Sequence, residues 1–111
     1  MARTTLTAQK FAKAGLKPTT VTPDADGIAF RNNGKSVLMV TNGDDESITV
    51  TPIIAEKVEG ISVTSPDRTL AAGDTTFYGP FNDAYEQLDG TQTVHVDLSA
   101  VTSVTAALLT L

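Results

Sequence analysis

Short alternating runs of threonine and valine are the feature that most constrains the fold of this chain. Apolar and polar side chains alternate in segments 47–51 (SITVT) and 94–98 (VHVDL). This alternation places one face of a strand in a core and the other in solvent. Threonine and valine are β-branched and fit a pleated strand better than a helix. The pattern predicts strands at 27–31, 36–41, 47–54, 60–65, 68–71, 75–78, 91–98 and 101–109.

Turn-forming residue pairs separate most of these strands. They are Asp26-Gly27, Asn33-Gly34, Asn42-Gly43, Ser65-Pro66, Gly79-Pro80 and Asp89-Gly90. No helical pattern of about ten residues intervenes, so the strands should pair antiparallel. The 111 residues suffice for one domain. We therefore predict an all-β fold: an antiparallel β-sandwich of about eight strands, either jelly-roll or Ig-like.

Most classes of catalytic chemistry have no support in the sequence. The chain has no cysteine, which excludes disulfides, thiolate-bound metals and a cysteine nucleophile. Its single histidine, His95, is not accompanied by a G-x-S-x-G motif that would supply a serine nucleophile. We predict that His95 and Asp97 form a pair on the solvent face of a strand. Glycine-rich phosphate loops are absent. We expect a protein that is not an enzyme and has no catalytic residue, cofactor or metal.

Two acidic stretches fit turns better than cation sites. Segment 24–27 (DADG) is similar to the start of a calcium loop. With Gly27 at the glycine position of that loop, however, Thr22 and Asn33 occupy its first and last ligand positions. Segment 44–46 (DDE) follows Asn42-Gly43 and is interpreted as a solvated hairpin tip.

Charge is unevenly distributed along the chain. Arg3, Lys10, Lys13 and Lys17 precede residue 18, whereas all thirteen acidic residues follow residue 17. The acidic body should repel nucleic acid, and no apolar run approaches the roughly 20 residues that span a bilayer. We therefore expect neither a nucleic acid nor a membrane partner. The basic start is either a solvated segment or a contact for an anionic partner.

The first seventeen residues allow two conformations. Thr7 could cap a helix that ends at Gly15, but a helix of about seven residues does not persist without packing. We favour an extended arm over residues 4–8 that lies along a neighbouring molecule. The chain is thus divided into an arm at 1–17 and a sandwich domain at 18–111. Candidate interface residues in the arm are Arg3, Leu6, Lys10, Phe11, Lys13, Leu16 and Lys17.

Two predicted strands are apolar on both faces. They contain segments 37–40 (VLMV) and 104–111 (VTAALLTL). A sandwich of this size should not need strands that are covered on both sides, so a loop or another subunit must cover the second face. Chain ends normally favour polar residues. We therefore expect a docked carboxy terminus, with Leu108, Leu109 and Leu111 as candidate interface residues.

Four of the six aromatic residues lie within nine positions, namely Phe77, Tyr78, Phe81 and Tyr85. The simplest interpretation is a plug at one end of the sandwich core. The alternatives are an anchor for a subunit interface, for which aromatic side chains are well suited, and a platform for a ligand. We keep all four as interface candidates.

Three segments, taken in order, resemble one family of proteins. They are 24–33 (DADGIAFRNN), 37–50 (VLMVTNGDDESITV), and the stretches GPF, YEQLDGT and VDLSAVTSVTAALLTL within 79–111. Together they resemble small virion proteins of tailed bacteriophages, encoded beside the major capsid gene, of the decoration or cement type. The resemblance lies in turns and apolar spacing, and it covers about three-quarters of the chain.

The resemblance implies a β-sandwich that binds the major capsid protein on the outer surface of a phage head and stabilises the capsid lattice. It also implies a homo-oligomer, with a trimer favoured. Assembly in the host cytoplasm agrees with the lack of cysteine and of a signal-peptide segment. The alternatives are a head-tail joining or tail-tube component, and a carbohydrate- or host-binding module that uses the aromatic rings.

Overall fold

The computed structural model describes residues 3–88 and 90–110, which form an all-β, sandwich-like fold. Two main sheets pack face to face. No α-helix occurs in these residues, and their one helical element is a 3₁₀ turn at Asp83–Tyr85. The strands are β1 (Thr4–Leu6), β2 (Ala8–Lys10), β3 (Ile28–Arg31), β4 (Ser36–Asn42), β5 (Ile48–Pro52), β6 (Lys57–Val58), β7 (Ile61–Ser62), β8 (Arg68–Leu70), β9 (Thr75–Tyr78), β10 (Thr93–Leu98) and β11 (Val104–Thr110).

The sheets are mixed, so the prediction of a purely antiparallel sandwich is wrong. The first sheet has the order β1-β3-β10-β5-β8 and the second β2-β11-β4-β9, while β6 and β7 form a separate hairpin. β1 runs parallel to β3, and β2 runs parallel to β11. The reason is the path of the chain, which crosses from the first sheet to the second at Thr7. It then loops back over residues 11–27 before it enters β3 in the same direction as β1.

Strand register defines two ends of the sandwich. At one end lie the loop after β2 and the connections 32–35, 53–67 and 79–92; the hairpin of β6 and β7 projects from the second of these. We call this the hairpin end. At the other end lie segments 24–27, 43–47, 71–74 and 99–103. The loops of the sandwich are therefore grouped on two separate surfaces, one at each end.

Alternation places the predicted residues in the core. Ile48 and Val50 of β5 are buried, as are Val94 and Val96 of β10. Leu38 on β4 is fully buried beside them in the same cluster. Burial of one such side chain stabilises the fold by about 1.5–3 kcal/mol. The prediction from alternating residues is confirmed for these strands.

β11 is buried on both faces by its own chain. Leu108 faces the core between the sheets, whereas Leu109 faces outward and is nevertheless only 2% exposed. The edge of β11 away from β4 pairs with β2 and with Val21. The Val21 amide donates to the Ala106 carbonyl, and the Ala106 amide donates to the Val21 carbonyl. The docked terminus is therefore confirmed up to residue 110, and no second subunit is needed to cover it. Leu111 lies outside the described residues.

The first residues follow an extended path, as predicted, but along their own sandwich. Thr4–Leu6 pairs with β3 and Ala8–Lys10 pairs with β11. The alternative helix with Thr7 as its cap does not form; the Gly15 amide donates a single turn hydrogen bond to the Ala12 carbonyl. Pairing with a sheet edge satisfies the backbone groups of this stretch better than an isolated short helix would.

Candidate interaction surface

Exposed apolar side chains concentrate at the hairpin end. The loop residue Phe11, the hairpin residues Val58, Ile61 and Val63, and Leu88 in the connection before β10 are all exposed there. Most of these side chains are large, and burying any of them against a partner would be favourable. Two other large apolar side chains are exposed among the described residues, namely Val21, which pairs with Ala106 of β11, and Phe77 on β9.

The hairpin of β6 and β7 presents the most exposed apolar pair. Val58 lies directly opposite Ile61, and their side chains are 63% and 71% exposed. The turn residues Glu59 and Gly60 both have positive φ, 51° and 81°, which matches the two-residue turn favoured in hairpins. The sequence predicts one strand at 60–65 here. The structure confirms it only at Ile61–Ser62, because Gly60 belongs to the turn, and it adds the partner strand Lys57–Val58, which the sequence did not predict.

The base of the hairpin is fixed to the sandwich. The backbone amides of Ala55 and Glu56 each donate a hydrogen bond of 3.0 Å to the Ala84 carbonyl. The Ile54 amide donates to Ser65 Oγ at 2.6 Å on the other side of the hairpin. An isolated two-stranded hairpin is marginally stable, so these bonds hold the Val58–Ile61 pair in place while leaving it exposed.

A second surface at the same end is the basic loop, which we define as residues 10–17. Lys10, Lys13 and Lys17 are exposed, and Phe11 is exposed between them. The Phe11 amide donates to the Thr110 carbonyl at 2.9 Å. Beyond the loop, Gln9 makes two hydrogen bonds of 2.8 Å with the backbone of Thr19. The loop is therefore anchored at both of its ends.

The other arm candidates have little free surface. Leu6 is buried in the core, and Leu16 is half-buried. Arg3 makes an ion pair with Asp97 at 2.6 Å and donates from Nη1 to the Val96 carbonyl at 3.1 Å. Asp97 therefore pairs with Arg3, a partner that the sequence interpretation, which placed it beside His95, had missed.

The aromatic cluster divides between core and surface. Tyr78 and Phe81 are buried, and the Phe81 ring lies 5.6 Å from that of Phe30 and 5.2 Å from that of Tyr85. This geometry is the end plug that the sequence predicted, and it leaves no row of exposed rings for a flat ligand. Phe77 alone is largely exposed, at 58%, on the outer face of the second sheet beside Met39.

The end opposite the hairpin is strongly acidic, and we call it the acidic end. Its cation is Arg3, which is paired with Asp97. The acidic residues at this end are Asp24, Asp26, Asp44, Asp45, Glu46, Asp74 and Asp97. The two ends thus differ in composition. Exposed apolar side chains and the lysines of the basic loop lie at the hairpin end, together with carboxylates such as Glu56 and Glu59, whereas the acidic end has carboxylates and the single paired cation Arg3 among the described residues. The sequence could not reveal this, because these residues are far apart along the chain.

Little else in the structure offers chemistry. Within residues 3–88 and 90–110, no group of three histidine, aspartate or glutamate side chains could hold a metal ion. A cleft of about 350 Å³ between the first strands and β11 is lined by residues such as Thr5, Gln9 and Ala107, and none of its lining residues is titratable. In the part of the chain described, no helix is long and apolar enough to cross a bilayer.

Comparison with known proteins adds no relative. No protein-family model, no curated protein and no solved structure matches this chain.

Proposed function

We propose that this chain is a non-enzymatic structural protein of a phage head, a decoration protein that binds the outer capsid surface and stabilises the lattice. The observation that carries the proposal is the concentration of exposed apolar side chains at the hairpin end, opposite an acidic end. The resemblance to virion proteins in segments 24–33, 37–50 and 79–111 supplies the identity of the partner, the major capsid protein. The assembled form is a homo-oligomer, with a trimer favoured.

The fold proposed for the sandwich is a jelly roll. An eight-stranded jelly roll built from β3 to β10 has one sheet in the order β3-β10-β5-β8, and the first sheet has this order after β1. Its other sheet would contain the pairs β4–β9 and β6–β7, and both pairs are present. β1, β2 and β11 are additions at the edges. This order favours the jelly roll over the Ig-like alternative.

The position of Leu88 supports attachment through the hairpin end. Leu88 lies in the connection from β9 to β10, which crosses this end between the basic loop on one side and the hairpin on the other. Against a capsid, Leu88 would be buried at the centre and the acidic end would face solvent. Each contact is weak, but many copies on one shell give a stable coat because their contacts act together.

Binding to purified heads tests the proposal. Heads of the phage whose genome encodes this chain, prepared without it, are mixed with the pure protein and sedimented. We expect the native protein to sediment with the heads and Leu88→Asp to bind at least about tenfold more weakly, because it places a charge in an apolar contact. The control is Ala100→Asp, an exposed position at the acidic end. Absence of native binding, or equal binding by both variants, would contradict the proposal.

A further inference from the structure

The hairpin and the basic loop carry complementary charges. The hairpin has exposed Glu56 and Glu59 around Val58 and Ile61, with Lys57 as its only cation. The basic loop has three exposed lysines and no acidic residue. Each surface also offers exposed apolar side chains. Complementary charge combined with apolar area is what a specific protein contact requires.

The two surfaces lie on opposite sides of one end of the sandwich. β1 and β2 are edge strands of the two sheets and are separated only by Thr7, so they share one side. β8 and β9 are the other edge strands and are separated by residues 71–74, so they share the opposite side. The basic loop continues β2, whereas the hairpin precedes β8. Within one molecule they therefore lie near opposite edges of the sandwich.

We propose that the hairpin of one copy docks on the basic loop of the next copy. The contact is head-to-tail, because each copy supplies a different surface on each side, and successive contacts of this kind close into a ring when the rotation allows it. Val58 and Ile61 pack against Phe11, while Glu56 and Glu59 face Lys13 and Lys17. All copies then point their hairpin ends in one direction, which leaves Leu88 of each copy free to face a flat partner.

This contact concerns the homo-oligomer of the proposed function, and it can fail while capsid binding stands, because it is measured on the isolated chain. Sedimentation velocity of the full chain over a range of concentrations should show a discrete oligomer that dissociates as salt is raised. Val58→Ser with Ile61→Ser should raise the dissociation constant at least about tenfold. The circular dichroism spectrum of this variant, compared with that of the native chain, checks that the variant is folded.

Charge reversal gives the decisive comparison. Glu56→Lys with Glu59→Lys, or Lys13→Glu with Lys17→Glu, should each weaken association, and the four changes combined in one chain should restore it. The matched control, Asp45→Lys with Glu46→Lys at the acidic end, should associate like the native chain. A chain that stays monomeric at every concentration would overturn the proposal. Unchanged association after the basic-loop reversal would also overturn it, because the contact would then join two hairpins. Loss of association in the acidic-end control would overturn it as well, because the copies would then stack end to end.

Discussion

Single residues fix the start of the chain to the sandwich. Gly27 has a φ of +97°, and a Cβ at this position would meet the Val96 carbonyl and the Arg3 guanidinium. Arg3 itself bonds to Val96 and Asp97. The absence of a side chain at Gly27 therefore lets β1, β3 and β10 approach one another closely.

Replacing Gly27 should destabilise the fold more than replacing a glycine with open surroundings. Gly34 also has a positive φ, +75°, but a Cβ there would meet nothing within 4 Å. Gly34→Ala should cost about 1–2 kcal/mol for the left-handed backbone alone. Gly27→Ala should cost clearly more, because backbone atoms must also move. Urea unfolding of the two variants measures the difference, and equal losses would show that the close approach at Gly27 contributes nothing.

Tyr78 makes the stability of the fold depend on pH in the alkaline range. Burial raises the pKa of its hydroxyl above the ordinary value, and a hydrogen bond with Thr76 and the charge of Arg68 only partly oppose this. Above the ordinary tyrosine pKa the unfolded chain releases this proton more readily than the folded chain, so stability falls as pH rises toward the raised value.

Tyr78→Phe isolates this effect from the titration of other groups. The free energy of unfolding, measured at about pH 8 and about pH 11, should fall less in the variant than in the native protein. The same fall in both would show that the Tyr78 proton does not contribute to the pH dependence.

At the scale of elements, β11 is the structural centre of the second sheet. It pairs with β4 over seven residues and with β2 on its other edge. Both Leu108 and Leu109 are buried there within one chain. The apolar run at the end of the sequence is therefore explained by the position of the strand, which lies between two neighbours and is buried on both faces within one chain.

Shortening a buried side chain of β11 should destabilise the whole domain. Leu108→Ala should cost about 2–5 kcal/mol, because it leaves a cavity between the sheets. The exposed Leu88 supplies the comparison, and Leu88→Ala should change stability by less than about 0.5 kcal/mol. Thermal unfolding followed by circular dichroism measures both, and a similar melting temperature for Leu108→Ala and the native chain would refute the central role of β11.

The sequence predicted those elements whose signal is local. Alternation predicted β5 and β10. The wider pattern of strand-forming residues between turns predicted β3, β4, β8, β9 and the terminal strand. The sequence did not predict that Thr4–Leu6 pairs in parallel with β3 and that Ala8–Lys10 pairs in parallel with β11. Such pairing depends on the return path of the chain. For the same reason the sequence left open whether a loop or a second subunit covers β11.

At the scale of the whole molecule, the sandwich has two unlike ends. The two-faced apolar strands suggested that one chain could not bury its own β-surface, yet β11 is covered within a single copy. What stays exposed is limited mainly to the hairpin end, including Val58, Ile61 and Leu88. The candidate surface therefore comes from loops at one end. It includes Lys10, Phe11, Lys13 and Lys17 of the predicted arm, but neither the buried aromatic residues nor the terminal strand.

Cryo-electron microscopy of purified particles tests directly whether this chain coats the outer surface of the capsid. We expect density for this sandwich on the outer face of the capsid, repeated with the lattice, with the hairpin end toward the shell and the acidic end outward. Density confined to a ring at the head-tail junction or along the tail tube, or a shell surface without this protein, would contradict it.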